Sequence, residues 1–528
     1  MNSLSTGWRI ALSILSGLLF FLAFPPVQWH WLGWVALWPL LVAVLGASGR
    51  VALLCGMVTT FSFYGLSVYW VFTIFATHGR LPWLAAGGVQ LLLLLYLSTY
   101  RVAFCVLLAW LSRRHRSLAL AVAPFLWVAM EFAFVRTPHF SLPWNLLGYA
   151  ATEQSGVLQL ASLTGVYGLS FAMAAFSALL GQTWRNPVSM NQRFANGLLI
   201  AIIAAVALAQ IVGAFLLPVA EAPLSARLVQ TNFDQGEWCA NCPSQQQLPA
   251  DLEEIERLSS ASVGGGAFLL WPEVPRPFYL QDATFAARAQ RIAVTNGGRF
   301  LLGVIEWRAS GEVENAGASQ PLRPRNSAVL LGASGERLYT YDKIHLVPFG
   351  EYVPLREWFR FADSLVAEVG GFVAGREPAL GQLPEGKFAT LICFEAVFPG
   401  EVRQFVAGGA ELLVNISNDG WLGPTGGPAQ HMNMARMRAV ENRRWLLRST
   451  NSGVTVVVDP YGRITAQLPA GQRAALDARF GMRSGQTLYT RFGDWFAWLC
   501  VAASALGILL AVRPEPPAGK SERKGRKG

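Results

Sequence analysis

Apolar positions fall into two textures along the chain. Long runs come first, at Trp8–Phe24, Trp31–Leu45, Val51–Phe75, Leu81–Leu111, Leu118–Val135, Val157–Leu180 and Leu198–Leu217, and one more, Trp495–Val512, comes late. A hydrocarbon core takes roughly 20 apolar residues per helix, so these runs predict about eight membrane spans. The first is read as a span and not a signal peptide, because no small-residue cleavage pattern follows it and further spans come at once. Leu81–Leu111 exceeds a bilayer and admits one tilted helix or a broken pair. From Leu224 onward the runs shorten to strand length, separated by Gly, Pro and Asn. Ala226–Gln230, Phe268–Trp271, Phe300–Ile305, Ser327–Leu331, Thr390–Cys393, Leu412–Ile416 and Val454–Val458 read as strands, and Leu338–Thr340 is strand-like. Helical periodicity covers Ala250–Ser260, Thr284–Thr295 and Ala429–Arg448. Strands and helices mixed in this way predict an α/β layered domain.

Composition agrees with a multi-domain chain partly in lipid: hydrophobic residues are 53% of the 528 and charged residues only 14%. The formal charge of +10 raises nucleic acid as a partner. Its placement excludes that, since the basic residues lie between apolar runs and in the tail Lys520–Lys527. With one helix over Leu81–Leu111, Arg50, Arg113–Arg116, Arg185, Arg193 and the tail all fall on one side, which the positive-inside rule makes cytoplasmic. The expected organisation is then seven spans within 1–217, an outward catalytic domain over 218–494, an eighth span at 495–512 and a basic cytoplasmic tail at 513–528. Both termini lie in the cytoplasm, and the outward domain faces the periplasm of a Gram-negative cell. Arg101 and Glu131 stand out inside the spans, where charge is costly; Glu131 is expected to pair with Arg136 or to snorkel.

Three stretches carry candidate chemistry. Ala267–Glu273 is an apolar run ending in a carboxylate, Tyr341–Pro354 puts Lys343 just past a strand-like run, and Leu391–Pro399 puts Cys393 where a strand gives out. A lone cysteine is most often a packing residue. A free thiol has a pKa of about 8.5, so catalysis asks for a base or a stabilising cation; Glu273 supplies the one and Lys343 the other.

Trp-Pro-Glu, Tyr-Asp-Lys-x-His-Leu-Val-Pro-Phe-Gly-Glu-Tyr-Val-Pro and Cys-Phe-Glu, in that order, resemble the Glu-Lys-Cys triad motifs of the nitrilase superfamily and of its membrane-embedded branch, the apolipoprotein N-acyltransferases. The resemblance implies a four-layer αββα sandwich joined to a polytopic helical domain. It implies Glu273, Lys343 and Cys393 as the triad, Glu351 orienting Lys343 and Glu395 supporting the pocket, with ordinary salt bridges as the other reading of those two carboxylates. It further implies two-step acyl transfer through a Cys393 thioester, from a phospholipid donor to the amino terminus of a diacylglyceryl-lipoprotein. No cofactor and no metal are called for, and a monomer is expected. Trp238, Trp421, Phe394 and Trp144 are candidates for substrate contact, with core packing or an interfacial belt as the alternative. Gly420 and Leu422 stand where the family pattern has alanine and phenylalanine.

Two rival functions use the same features. A membrane-anchored nitrilase-type amidase would need the same triad, although one span would anchor it. A transporter or receptor is disfavoured by the triad and by the few ionisable residues within the spans. Cys239 and Cys242 lack a second ligand pair and a thioredoxin-type βαβ surround, so a local disulfide is expected. Cys55, Cys105 and Cys500 read as packing residues. The glycine-rich apolar segment Phe361–Gly375 is read as a mobile lid or a packed loop. His431 reads as structural, inside a helix.

Overall fold

A computed structural model describes residues 4–79, 81–137, 140–183, 190–234, 246–260, 266–309, 322–353 and 371–512. Trp238, Cys239, Cys242, the basic tail and 361–370 of the glycine-rich segment lie outside the described residues.

Among the described residues, six helices are long and apolar enough to cross a membrane: Thr6–Ala23, Gly49–Ser67, Trp83–Arg114, Arg116–Val135, Asn196–Phe215 and Trp495–Val512. Two shorter apolar helical stretches, His30–Val44 and Val166–Gln182, accompany them. The long run resolves as one helix of 32 residues, Trp83–Arg114. The run expected over Val51–Phe75 breaks at Val68, the cap of Gly49–Ser67, and continues as separate turns. The run expected over Val157–Leu180 is broken at Gly165, φ +67°, which separates the short helical turns Val157–Leu160 and Ala161–Thr164 from the helix Val166–Thr183. A Cβ on Gly165 would lie 2.7 Å from the Tyr489 ring, so glycine permits both the left-handed turn and the close approach.

Arg101 is buried, and its guanidinium lies 4.8–5.4 Å from the rings of Phe20, Phe63, Tyr64 and Trp127, whose negative faces offset its charge. Glu131 does not pair with Arg136. It accepts from the indole of Trp127 at 3.0 Å and the N–H of Leu147 at 2.8 Å, while Arg136 turns outward to Asp494 at 2.5 Å. The loop after Glu131 folds back over the helix end, and sequence distance gave no sign of that.

The second part is a pair of sheets. Its strands are β1 Leu224–Gln230, β2 Phe268–Leu270, β3 Phe300–Ala309, β4 Leu322–Leu331, β5 Arg337–Asp342, β6 Leu380–Leu383, β7 Gly386–Ile392, β8 Leu412–Ser417, β9 Trp445–Thr450, β10 Thr455–Val458, β11 Ile464–Leu468 and β12 Ala474–Phe480. They form two six-stranded sheets, ordered β12-β1-β2-β3-β4-β5 and β11-β10-β9-β8-β7-β6. β1, β2 and β3 run parallel in one sheet, and β7, β8 and β9 in the other.

Period-2 alternation builds the layers. Leu228, Phe268, Leu270 and Leu301 point into the core shared by the sheets, whereas Val229, Leu269, Trp271, Phe300 and Leu302 pack under the helices Leu248–Ser260 and Ala283–Thr295. Pro399–Ala407 and Gly427–Asn442 cover the other sheet. The result is the four-layer αββα sandwich expected from the motifs.

Gly427–Asn442 also joins the two parts. Met432, Ala435 and Ala439 belong to the sandwich core; Met434, Met437 and Val440 belong to the apolar cluster of the membrane helices. The predicted helix over Ala429–Arg448 therefore ends early. Asn442 is its last residue, Arg443 takes a left-handed φ of +52°, and Trp445–Thr450 is a central strand.

Candidate active site

Parallel strands in an α/β layer place their functional groups beyond their C-terminal ends. Glu273 follows β2, Cys393 follows β7, and Asn418 and Asp419 follow β8. Lys343 continues from β5, its N–H bonded to the Asn326 carbonyl at 2.8 Å. Four chain segments thus converge on one crevice between the sheets.

The ammonium of Lys343 is the hub. Its Nζ lies 3.1 Å from Glu273 Oε1 and 3.0 Å from Glu351 Oε2, and all three side chains are buried. Burial alone would depress the lysine; the two carboxylates outweigh it and hold the ammonium charged above its ordinary pKa. Asn326, which the motifs did not single out, donates from one Nδ2 to Glu273 Oε1 and to Glu351 Oε1, both at 2.8 Å. Glu273 Oε2 accepts the N–H of Asn418 at 2.9 Å, and Glu351 Oε2 that of Val347 at 2.7 Å. Both carboxylates are therefore fixed in rotamer, Glu273 with one oxygen on the lysine and Glu351 with both.

Cys393 begins a short turn, Cys393–Val397, at φ +53°. A left-handed cysteine costs of order 1–3 kcal/mol and persists only where its surroundings enforce it. Val274 at φ +34° and Phe349 at φ +60° share that condition, so the backbone beside each triad motif is strained. Burial pushes the Cys393 thiol well above its ordinary pKa, and the charge of Glu273 pushes the same way while Lys343 opposes. Two carboxylates around one ammonium leave no surplus positive charge to favour a thiolate at Cys393.

Glu395 supports this turn. Its Oε1 accepts from Tyr341 Oη at 2.7 Å and from the N–H groups of Ile344 at 2.7 Å and His345 at 3.2 Å; its Oε2 accepts the Ile392 N–H at 2.7 Å. One carboxylate thereby ties the Lys343 strand to the Cys393 strand. Burial pushes its pKa up to about 7, against the pull of those donors. His431 meets the backbone of Cys393: Nε2 lies 3.1 Å from the Cys393 carbonyl and Nδ1 2.9 Å from Asp419 Oδ1. Asp419, held well below the usual carboxylate range chiefly by Arg448 against the effect of its own burial, bonds that guanidinium at 2.6 Å.

The remaining candidates divide. Phe394 is buried in the membrane-helix cluster with Val397 and Phe398 and makes an edge contact to Phe398 at 5.0 Å. Trp144 is buried too, donating from Nε1 to Gln430 Oε1 at 2.6 Å while Gln430 Nε2 donates to the carbonyls of Pro25 at 2.9 Å and Ser67 at 3.0 Å. Trp421 stays exposed, its ring 5.0 Å from that of His78 in the membrane part. Of the glycine-rich segment, the described end is pinned, Phe372 N–H to Glu351 O at 3.0 Å and Gly375 N–H to Lys343 O at 2.8 Å. Among the described residues no group of His, Cys, Asp and Glu is arranged to hold a metal ion.

A strand-end thiol, a carboxylate and a lysine between two sheets define a carbon-nitrogen-hydrolase-type catalytic domain, here built onto a membrane protein. Residues 238–482 match the carbon-nitrogen hydrolase family model, and residues 16–179 match that of the apolipoprotein N-acyltransferase N-terminal domain. The chain is 36% identical over 514 residues to a Geobacter metallireducens protein named apolipoprotein N-acyltransferase, covering 95% of each. Proteins of the same name from Chlorobaculum tepidum and Azotobacter vinelandii are 30% and 34% identical, with 95% and 90% of this chain covered and 96% and 90% of theirs. The chain belongs to the apolipoprotein N-acyltransferase family.

Proposed function

We propose that the protein moves a fatty acyl chain from a phospholipid, through a thioester on Cys393, to the α-amino group of a diacylglyceryl-cysteine at a lipoprotein's N-terminus. Glu273 takes the thiol proton as sulfur attacks the donor's ester carbonyl, which fits a thiol pushed above its ordinary pKa. Lys343, with the N–H that follows Cys393, stabilises the tetrahedral oxyanion. The C–O bond breaks, and the lysophospholipid leaves with the proton from Glu273. The incoming amine then attacks the thioester, the C–S bond breaks, and Glu273 carries the amine's proton back to sulfur. Glu351 keeps Lys343 aimed between the acid and the thiol.

The observation that carries this reading is the apolar anchoring of the nucleophile's own turn. Phe394, Val397 and Phe398, directly after Cys393, pack into the core of the membrane helices. A thiol so mounted suits esters that never leave a bilayer, and confining both substrates to that layer raises their effective concentration. The domain assignment follows: spans over 1–217 and 495–512 enclosing an outward catalytic unit over 218–494, in a bacterial inner membrane with the crevice on the periplasmic side. The cytoplasmic placement of both termini rests on the basic loops and tail.

The test is intact-protein mass spectrometry after incubation with a phospholipid carrying a labelled acyl chain. One acyl group on Cys393, released when a diacylglyceryl peptide is added, is expected. Transfer that survives Cys393→Ser overturns the assignment, and acylation by small amides but never by phospholipid would make the protein an amidase.

A further inference from the structure

Beyond the C-terminus of the Gly427–Asn442 helix, about 18 Å along its axis from His431, lies a second polar cavity. Its volume is about 320 Å³, and Arg443, Arg444 and Arg483 line it together with Ser162, Leu163 and Leu488. Ligand pockets run from about 300 Å³ upward, so a headgroup fits and a large solute does not.

Among the described residues, none of these three guanidinium groups has a carboxylate partner. Arg443 donates to Gln159, to Ser162 Oγ at 3.2 Å and to the Pro460 carbonyl at 3.2 Å. Arg444 donates to the carbonyls of Ala410 at 2.7 Å, Gly485 at 2.6 Å, Asn442 at 3.1 Å and Arg443 at 3.2 Å. Arg483 reaches the Tyr461 hydroxyl at 3.0 Å, and Arg443 and Arg483 lie over the Tyr461 ring at 4.8 and 5.3 Å. Asp459, whose charge acts on Arg443, is paired with Arg463 at 3.5 Å. Glu411 acts on Arg444 without forming an ion pair among the described residues. Burial, reinforced by the charge of Arg483, pushes Arg443 and Arg444 down to about 10. A half-buried set of like charges is costly unless an anion completes it, and guanidinium forks match phosphate oxygens.

The surroundings say which anion. Leu163 and Leu488 of the lining are exposed, as are Phe492, one helical turn beyond Leu488, and Trp495. The Trp495 indole donates to the Leu163 carbonyl at 3.0 Å, and Trp495 opens the last span. Tryptophan in that position marks the level where headgroups meet hydrocarbon. We propose that Arg443, Arg444 and Arg483 bind the phosphodiester of an anionic glycerophospholipid in the leaflet beside the catalytic domain, with its acyl chains along Leu163, Leu488 and Phe492. The site is separate from the thiol crevice, and its lipid is bound and not consumed.

The experiment uses the full chain extracted from vesicles of equal phosphatidylglycerol and phosphatidylethanolamine, with the retained lipid read by native mass spectrometry. Phosphatidylglycerol should be enriched. Each arginine facing an anionic headgroup is worth about a fivefold preference, so Arg443→Gln with Arg483→Gln should lower the enrichment about thirtyfold. Arg483→Gln alone, at a half-exposed residue whose side chain among the described residues hydrogen-bonds Tyr461, should lower it about fivefold with the fold intact. Equal enrichment in the wild type and in Arg483→Gln overturns the proposal. So does displacement of the retained lipid by excess inorganic phosphate, which would assign the arginines to a soluble anion.

Discussion

Replacing Gly303 with alanine adds one methyl group beneath the candidate base. Gly303 lies in β3, where a Cβ would sit 2.5 Å from the Pro272 carbonyl oxygen, 2.8 Å from Glu273 Cα and 3.0 Å from the Val274 nitrogen. Non-bonded carbon contacts are comfortable near 3.5–4.0 Å, so the Pro272–Val274 backbone would have to retreat by about 0.5–1 Å. Every atom it meets is main chain, and Val274 is already at φ +34°, leaving little room to relax. Glu273 holds hydrogen bonds of 2.8 Å to Asn326, 2.9 Å to Asn418 and 3.1 Å to Lys343; a shift of that size carries them past the roughly 3.2 Å limit. Overpacking of this kind costs about 1–3 kcal/mol of stability, and misplacing a catalytic group by about 1 Å costs about 10²-fold in rate. The single-turnover rate of Cys393 acylation by phospholipid should thus fall about a hundredfold, while the purified protein still elutes as a folded species. A rate within threefold of wild type would mean that the Glu273 loop is not held by this contact, and the reasoning would fail.

Other outcomes follow from the same geometry. Glu273→Gln removes a negative charge that raises the Cys393 thiol, so iodoacetamide should label the variant faster than wild type at pH 8. Acyl transfer should nonetheless drop about 10²–10⁴-fold for want of a base; slower labelling would contradict the charge assignment. Glu395, pushed up to about 7 by burial, has a folded pKa above its unfolded value, so its stabilising contribution is complete below about pH 4.3 and is lost as pH rises through about 7. Thermal stability of wild type measured against Glu395→Gln should decline by about 3 kcal/mol between pH 4.5 and 7.5, and a flat difference would refute the shift. Gln430→Ala strips partners from the Trp144 indole and from the Pro25 and Ser67 carbonyls at once, so a loss of about 2–4 kcal/mol is expected in heat denaturation. No measurable loss would show that these groups find other partners.

Where apolar texture and strand ends decide the structure, the sequence carried the answer. The run before Cys393 read as a strand that stops at the thiol, and β7 ends at Ile392. Glu273 and Lys343 were visible as residues following strand-like runs, Glu351 only through the family motif, and the three meet at 3.0–3.1 Å. Asn326 was not visible, although an asparagine inside a strand is a weak signal in itself, since strands are poor in asparagine. β9 was hidden because the helical pattern ran on into it, and the residue that ends the helix is Arg443, where glycine is the usual marker. β11 and β12 alternate between half-buried and exposed positions, so no apolar run announces them. The short helix Pro399–Ala407 was missed for its length, with Pro399 at its start as the one available cue.

The Gly427–Asn442 helix, apolar toward both of its neighbours, makes this catalytic unit inseparable from its lipid-borne half. Excised at residue 218, the sandwich would bare Met434, Met437, Val440 and Phe398 to water, an invitation to aggregate. Grafting the thiol crevice onto another anchor would require rewriting that one helix, so cutting and splicing this enzyme should fail where point changes succeed.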